Sequence, residues 1–420
     1  MRTVRPERRH GDQQHLSGAA AAILAAWMAL AAAATAGCAL YLRLLRRPQP
    51  RPTAAPPVLV AVPVRGDAGL DVFLAALSAQ DYPAWRAVFA VEDRTDPAFA
   101  ALARFAAAHP ARVEAVAVAG PTARRAQKVH NLLAILPSLR ADDAALVTLD
   151  ADTIPPPDLL AELLRPILTG QGDLSSGYRW TLPEGPGAGA LLLSLAEAGV
   201  ATLPRCARCN LCWGGATAVG RSALARLDLP SLWDRAVSDD LSVSRAAHAA
   251  GLVVYAPLTV RPPSPYRGRI VDALRFGTRQ YRLMRLHSPG RWLLAGLLLA
   301  VPAAGGAVAL GVAASGGGAG PACLAAAWLL QRLRATLRSA IAVRILPGPA
   351  ADAASLGLRR GRWRQTLAHP LNLLAWLGSA AGNRLDWAGR RYRVTRHGDV
   401  VAISRTAGDR PPAPKASHRA

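Results

Sequence analysis

The sequence predicts an α/β domain held between membrane-spanning segments, and three observations carry that expectation. Short apolar runs alternate with longer helical stretches between Val58 and Leu149, the pattern of strands and helices in an open sheet. Two charge-free stretches, Leu16–Leu42 and Trp292–Ser315, are each long enough to cross a bilayer. Acidic residues stand directly after apolar runs, at Glu92-Asp93, Asp150-Ala151-Asp152 and Asp239-Asp240, where open sheets of this class place their ligands.

Taken in order, residues 1–15 form a polar tail and 16–42 a transmembrane anchor. The run is longer than a signal-peptide core, and Arg43, Arg46, Arg47 and Arg51 follow it directly. Thr35-Ala36-Gly37-Cys38 departs from a lipoprotein cleavage box at Thr35, where leucine belongs. Residues 43–57, rich in proline and arginine, read as a stiff linker. The catalytic domain is expected over 58–265, with strands near 58–64, 86–92, 112–118 and 144–149 and helices near 69–79, 96–108 and 126–140. A strand near 172–180, an apolar helix near 187–203, a turn at Gly214-Gly215 and a helix over 240–250 complete it.

Residues 266–289 carry Arg267, Arg269, Arg275, Arg279, Arg282 and Arg285 among apolar residues, as an amphipathic helix on an anionic leaflet does. Transmembrane helices are expected over 290–346, although Arg332, Arg334, Arg338 and Arg344 interrupt the second. Within 347–395, the short apolar run Leu367–Ala381 has arginines on both flanks, which predicts a re-entrant or interfacial helix followed by a cytoplasmic tail motif. Residues 396–420 read as a disordered tail.

With 420 residues, 51% of them hydrophobic, the chain holds one large core besides the membrane segments. Its net charge of +23 comes mostly from arginines beside apolar segments and in the tails, without interleaved aromatics, so nucleic acid is not expected as a partner. Cys206, Cys209 and Cys212 form a C-x-x-C-x-x-C run, but Ala216 stands where iron–sulfur spacing requires a further cysteine. Reduced thiols fit it better.

Several ordered motifs then point to one family. They are Val62-Pro63-Val64-Arg65-Gly66, Gln80-Asp81-Tyr82-Pro83, the segment Val91–Ala98, Lys128-Val129-His130-Asn131-Leu132, Asp150-Ala151-Asp152, Asp239-Asp240, Arg279–Leu283 and Trp387–Val394. Over residues 58–395 they resemble the family 2 glycosyltransferases, and within them the ceramide glucosyltransferase-like branch that includes hopanoid-associated transferases. Leu283 departs from the family's Arg/Gln-x-x-Arg-Trp motif, which argues against a processive polysaccharide synthase. The resemblance implies a nucleotide-diphospho-sugar transferase (GT-A) fold and an inverting transfer from a UDP-sugar donor to a membrane lipid acceptor at the lipid bilayer. Transfer to a polyprenyl phosphate or a short polysaccharide, or a non-catalytic membrane scaffold, are the competing readings. Because nucleotide sugars are cytosolic, the catalytic domain is expected on the cytoplasmic side of the cell membrane in a multi-pass arrangement.

Residue roles follow from this chemistry. Asp150 and Asp152, alternate residues of an extended segment, are expected to face one Mg²⁺ or Mn²⁺ that also takes diphosphate oxygens. By the resemblance, Asp93 contacts the uracil and Lys128 lies near the donor phosphates, a solvated helix charge being the alternative for Lys128. Asp96 is expected to cap the helix that Pro97 opens. Asp240, at a helix N-terminus, is expected as the general base, with Asp239 as the alternative. Arg279 and Arg282, one helical turn apart, are expected to clamp the leaving diphosphate, and Trp213, Gly214 and Gly215 to form an acceptor-side loop.

Overall fold

The computed structural model describes residues 17–206, 209–361 and 364–405. Helix α1 (Gly18–Leu44) opens at Ser17, whose hydroxyl accepts from the Ala20 amide at 3.3 Å. Its 27 residues correspond to about 40 Å, enough to cross a bilayer. Near its end the Tyr41 hydroxyl donates to the Leu258 carbonyl at 2.6 Å, which fixes the helix to the α/β domain.

That domain runs through β1 (Val58–Pro63), α2 (Leu70–Ser78), β2 (Trp85–Val91), α3 (Pro97–Ala108), β3 (Val113–Val118), α4 (Gln127–Ile135) and β4 (Ala145–Leu149). It continues through α5 (Leu159–Leu168), β5 (Leu174–Ser176), β6 (Trp180–Pro183), α6 (Ala188–Ala201), β7 (Ala216–Gly220), α7 (Arg221–Leu227), α8 (Leu229–Leu232), α9 (Asp239–Ala249), β8 (Val254–Tyr255) and β9 (Pro263–Tyr266). The main sheet has the order β3-β2-β1-β4-β7-β5-β8. Strands β3, β2, β1 and β4 are parallel, and β7 runs antiparallel to both β4 and β5. The first four strands read so clearly in the sequence because both faces are covered. Leu59 and Ala61 face a core with α4 and α9, while Val58, Val60 and Val62 face one with α2, α3 and α5.

Two parts of the domain differ from expectation. The strand expected over 172–180 is two strands in different sheets, β5 in the main one and β6 paired with β9. Between them Gly177 lies so close to Val260 that a Cβ would meet its side chain at 2.5 Å and its carbonyl at 2.8 Å. Strand β7 follows the glycine turn unannounced, since Ala-Thr-Ala-Val-Gly lacks large β-formers, yet all five residues are buried.

Beyond the sheet come α10 (Ile270–His287), α11 (Pro289–Ala314), α12 (Ala319–Ile345), α13 (Gly348–Arg360) and α14 (Gln365–Ser379). Among the described residues α1 and α11 are the helices long and apolar enough to cross a membrane, and Leu293, Leu294, Leu297 and Leu310 of α11 are exposed. Helix α12 does not meet that criterion. Two of its arginines are buried instead, Arg334 donating to the Ala31 carbonyl of α1 at 3.4 Å and Arg338 to the Thr202 hydroxyl at 3.1 Å. Helix α10 starts later than expected because Pro263–Tyr266 is strand β9, and it packs between α6 and α14 rather than lying uncovered.

The chain closes on an antiparallel sheet of β10 (Arg384–Trp387), β11 (Arg390–Val394) and β12 (Val400–Arg405). Ala388 and Gly389 form its two-residue turn with φ of 49° and 73°, the doubly left-handed geometry of a type I′ hairpin. Residues from 396 onward were expected to be disordered, but β12 pairs with β11 and Val400 joins the main core beside Leu385, Tyr392 and Val394. The rest of that tail, 406–420, and the whole of the polar tail 1–15 with its neighbour Leu16 lie outside the described residues.

Candidate active site

The C-terminal edge of the parallel strands carries the site. Because β7 pairs antiparallel with β4, with Ala216 opposite Leu149, the Trp213–Gly215 loop before β7 arrives at the same edge as the residues after β4. The N-terminal turns of α4 and α9 add Lys128 and the Asp239-Asp240 pair.

Lys128 is the centre of this cluster. Its ammonium lies 2.7 Å from Asp150 Oδ1 and 3.3 Å from Asp239 Oδ2, with side-chain exposures of 16%, 27% and 5% in that order. Burial would lower the lysine, but the Asp150, Asp239 and Asp240 carboxylates outweigh it and hold the ammonium well above its usual range. Burial pushes the Asp150 carboxyl up to about 7, with Lys128 opposing and Asp152 and Asp239 reinforcing the rise. Asp239 is likewise raised by burial against Lys128. The alternative of a solvated helix charge for Lys128 therefore does not describe this residue.

Gly214 is required here. A Cβ on it would stand 2.6 Å from the Lys128 ammonium and 2.7 Å from Asp239 Oδ2, and its amide donates to Asp240 Oδ2 at 2.8 Å. The other Asp240 oxygen accepts from the Leu241 amide at 2.7 Å and from the Ser238 hydroxyl. Ser238 caps α9, so neither aspartate is needed for that purpose.

Asp150 and Asp152 do not alternate along a strand. Strand β4 stops at Leu149, and both lie in a turn closed by the Thr153 hydroxyl on the Asp150 carbonyl at 2.9 Å. Gln80 braces the following Pro155–Pro157 segment, donating to the Pro156 carbonyl at 2.6 Å and accepting from the Leu160 amide at 3.0 Å. Asp152 is exposed beside the buried cluster. These two carboxylates supply hard oxygen ligands, which suits Mg²⁺ or Mn²⁺ bound through few protein groups with substrate oxygens completing the shell. Among the described residues no group of three or more His, Cys, Asp or Glu stands ready to hold a metal alone, and this includes the Cys206–Cys212 run.

Asp93 lies after β2, exposed, and accepts from the Thr95 amide at 2.7 Å and from the Thr95 hydroxyl. Those bonds hold its carboxyl below the usual range. Asp96 caps α3 from the Ala98 amide at 2.9 Å, with Pro97 at the first position.

The Arg279–Leu283 segment divides. Arg279 lies over the Phe276 and Trp387 rings at 5.3 and 5.8 Å, and its guanidinium is lowered to about 10, by burial first and then by the neighbouring Arg179 charge. The two amino groups of Arg282 donate to the Arg384 and Gly378 carbonyls, both at 2.7 Å. Of the two arginines expected to clamp the diphosphate, Arg282 thus points its guanidinium to the α14–β10 junction, three positions on from Arg279. Leu283, where the motif has tryptophan, is buried in the main core.

The sequence reading missed two arginines. Arg179 lies over the Trp213 and Phe276 rings at 5.4 and 5.1 Å, 3.6 Å from the buried Glu197, and within electrostatic reach of Asp152 and Asp150. Arg390, from the terminal hairpin, donates to Gln127 Oε1 at 2.7 Å and pairs with Glu92, next to Asp93. The Trp387–Val394 motif held the only signal for Arg390. Nothing local marked Arg179.

The family model for glycosyl transferase family 21 matches residues 20–400. The chain belongs to glycosyl transferase family 21. It is a glycosyltransferase with the mixed α/β sheet expected from its sequence. No curated protein matches it. Among solved structures, this family 21 chain is similar to a mannosyltransferase from Pyrobaculum calidifontis in complex with GDP-Man and Mn²⁺, at 21% identity, 80% coverage of this chain and 98% of the other, and a TM-score of 0.49. It is also similar to glucosyl-3-phosphoglycerate synthase from Mycobacterium tuberculosis (18% identity, 55% and 79% coverage, TM-score 0.34) and to S. aureus TarS in complex with UDP-GlcNAc (10%, 76% and 89%, 0.34).

Proposed function

We propose that this glycosyltransferase is membrane-bound and inverting, and moves a sugar from a UDP-sugar to the hydroxyl of a membrane lipid of the ceramide, hopanoid or glycerolipid kind. The observation that carries this reading is the continuity of α10. It passes Arg279 beside the carboxylate cluster and leads at Pro289 into α11, an apolar helix with an uncovered leucine face. An acceptor hydroxyl held at headgroup depth would thus reach the site without its chains leaving the bilayer.

In this reading Asp93 holds the uracil, while Lys128, Arg179 and Arg279 provide the positive charge that stabilises the diphosphate as it departs. Asp152 and Asp150 would hold Mg²⁺ or Mn²⁺, which neutralises diphosphate charge when bound. Asp240 takes the proton of the acceptor hydroxyl, and its bonds from Gly214 and Leu241 fix its direction. The acceptor oxygen attacks the anomeric carbon opposite the diphosphate. The new C–O bond forms as the old one breaks, its electron pair leaves on UDP, and the configuration inverts in one displacement. Asp239 sets the position of Lys128. The catalytic domain faces the cytoplasm, where nucleotide sugars are found.

Mass spectrometry of lipids after incubation with a UDP-sugar and Mn²⁺ tests this reading, with nuclear magnetic resonance of the product giving its anomeric configuration. A lipid gaining one hexose mass with inverted configuration is expected. Retention of configuration would remove the single-base mechanism.

A further inference from the structure

A cavity of about 390 Å³ lies where α1 ends, and its lining shares no residue with the carboxylate cluster. Leu44 and Leu45 from the last turn of α1, with Leu258, form its apolar wall; Arg47, Arg165 and Arg205 supply its charge. Arg165 is only 5% exposed. One of its amino groups donates to Gln49 and Gln171, at 3.1 and 3.3 Å, and the other faces Glu162 at 3.5 Å, while its buried Nε–H meets no acceptor among the described residues. Arg205 repeats the pattern: Nη2 donates to the Val200 carbonyl at 3.0 Å, while Nε–H is buried without a partner among the described residues.

The charge here is unbalanced. Among the described residues Glu162 is the carboxylate at ion-pair distance from Arg165, and it also accepts from the Thr259 hydroxyl at 2.6 Å. Burial, and then the charge of the adjacent Arg261, lowers the Arg205 guanidinium to about 10, and a bound anion would reverse that effect. The guanidinium groups of Arg47, Arg165 and Arg205 around one cavity form a donor set matched to phosphate oxygens. The apolar wall next to them belongs to a helix apolar enough to span a membrane.

We propose that this cavity is a phosphate-binding site, taking the headgroup phosphate of an anionic phospholipid from the leaflet in which α1 ends. The lipid source rests on the membrane reading above. The phosphate chemistry does not, and a free phosphate would use the same donors.

The test uses the full chain in two arms. In the first, protein in nanodiscs of mixed phosphatidylglycerol and phosphatidylcholine is released for native mass spectrometry. In the second, detergent-purified protein is titrated with inorganic phosphate and followed by thermal shift. The wild type is expected to retain one phosphatidylglycerol in preference to phosphatidylcholine. Arg205→Gln should weaken that retention at least tenfold, as should Arg47→Gln, which alters an exposed side chain and leaves folding intact. Phosphate protection that both variants lose, without retained lipid, would assign the same site to a soluble phosphate. Equal retention and equal protection in wild type and variants, or neither in the wild type, would overturn the proposal. If that happened while UDP release on a lipid acceptor persisted, the transferase reading would stand and this one alone would fall.

Discussion

Lys128 Nζ lies 2.7 Å from Asp150 Oδ1, tying the first turn of α4 to the turn that follows β4. With Asp239 3.3 Å away, one ammonium serves a half-buried and a buried carboxylate from elements far apart in the chain. The arrangement holds negative charge at the sheet edge in the absence of any donor.

Lys128→Met is therefore expected to damage both stability and catalysis. Removing the shared cation leaves Asp150 and Asp239 uncompensated, which costs about 3–5 kcal/mol for a buried pair. Chemical denaturation should show that loss, and the double variant Lys128→Met/Asp239→Asn should recover part of it. No recovery in the double variant would contradict the shared-charge account.

Arg282→Ala should act on the terminal hairpin rather than on the donor. Both of its amino groups hold carbonyls at the α14–β10 junction, so hydrogen exchange over 384–405 should accelerate while UDP-sugar affinity changes less than about threefold. Arg179→Ala should instead lower turnover by roughly 10²-fold, the loss typical of one preorganised group facing developing charge. Similar kinetic losses in the two variants would restore Arg282 to the site.

His287 gives a pH dependence of stability. Its buried ring packs against Gly398, and burial first, with Arg245 adding, holds it below its ordinary value near 6.5. The folded chain thus binds this proton less readily than the unfolded chain. The contribution is complete above about pH 6.5 and is lost as pH falls through the lower folded value. Thermal melts between pH 7.5 and 5.5 should show a steeper decline for the wild type than for His287→Gln; parallel slopes would rule this residue out.

Much of this was legible because the sequence pattern and the burial agree. Val58–Pro63 and Ala145–Leu149 are apolar throughout because helices cover both faces of their sheet. Asp93 and Asp150 were visible after strands for the same reason, whereas Asp239-Asp240, also expected after a strand, opens α9 with the short helix α8 before it. Strand β7 was not, because its small residues fit between β4 and β5 without a strand-like signature. Arg279 and Arg282 look alike in sequence, and only the packing of α10 between α6 and α14 leaves one guanidinium within electrostatic reach of Asp152 and turns the other to the Gly378 carbonyl. The turn at Asp150-Ala151-Asp152 was read as extended because alternation is the default after a strand, whereas the Thr153 hydroxyl closes it.

Separating the metal carboxylates from the base is the next expectation. Asp150→Ala or Asp152→Ala should abolish Mn²⁺-dependent donor binding in calorimetric titration. Asp240→Asn should retain donor affinity and lose turnover by about 10²–10⁴-fold, since the base acts on the acceptor proton. Equal loss of donor binding in all three variants would undo these assignments.

The central claim is transfer to a lipid hydroxyl, and UDP release tests it most directly. Purified protein in nanodiscs, given a UDP-sugar and Mn²⁺, should release UDP in proportion to added hydroxyl-bearing lipid, and Asp240→Asn should not. Release that ignores the lipid but rises with a water-soluble polysaccharide would contradict the account.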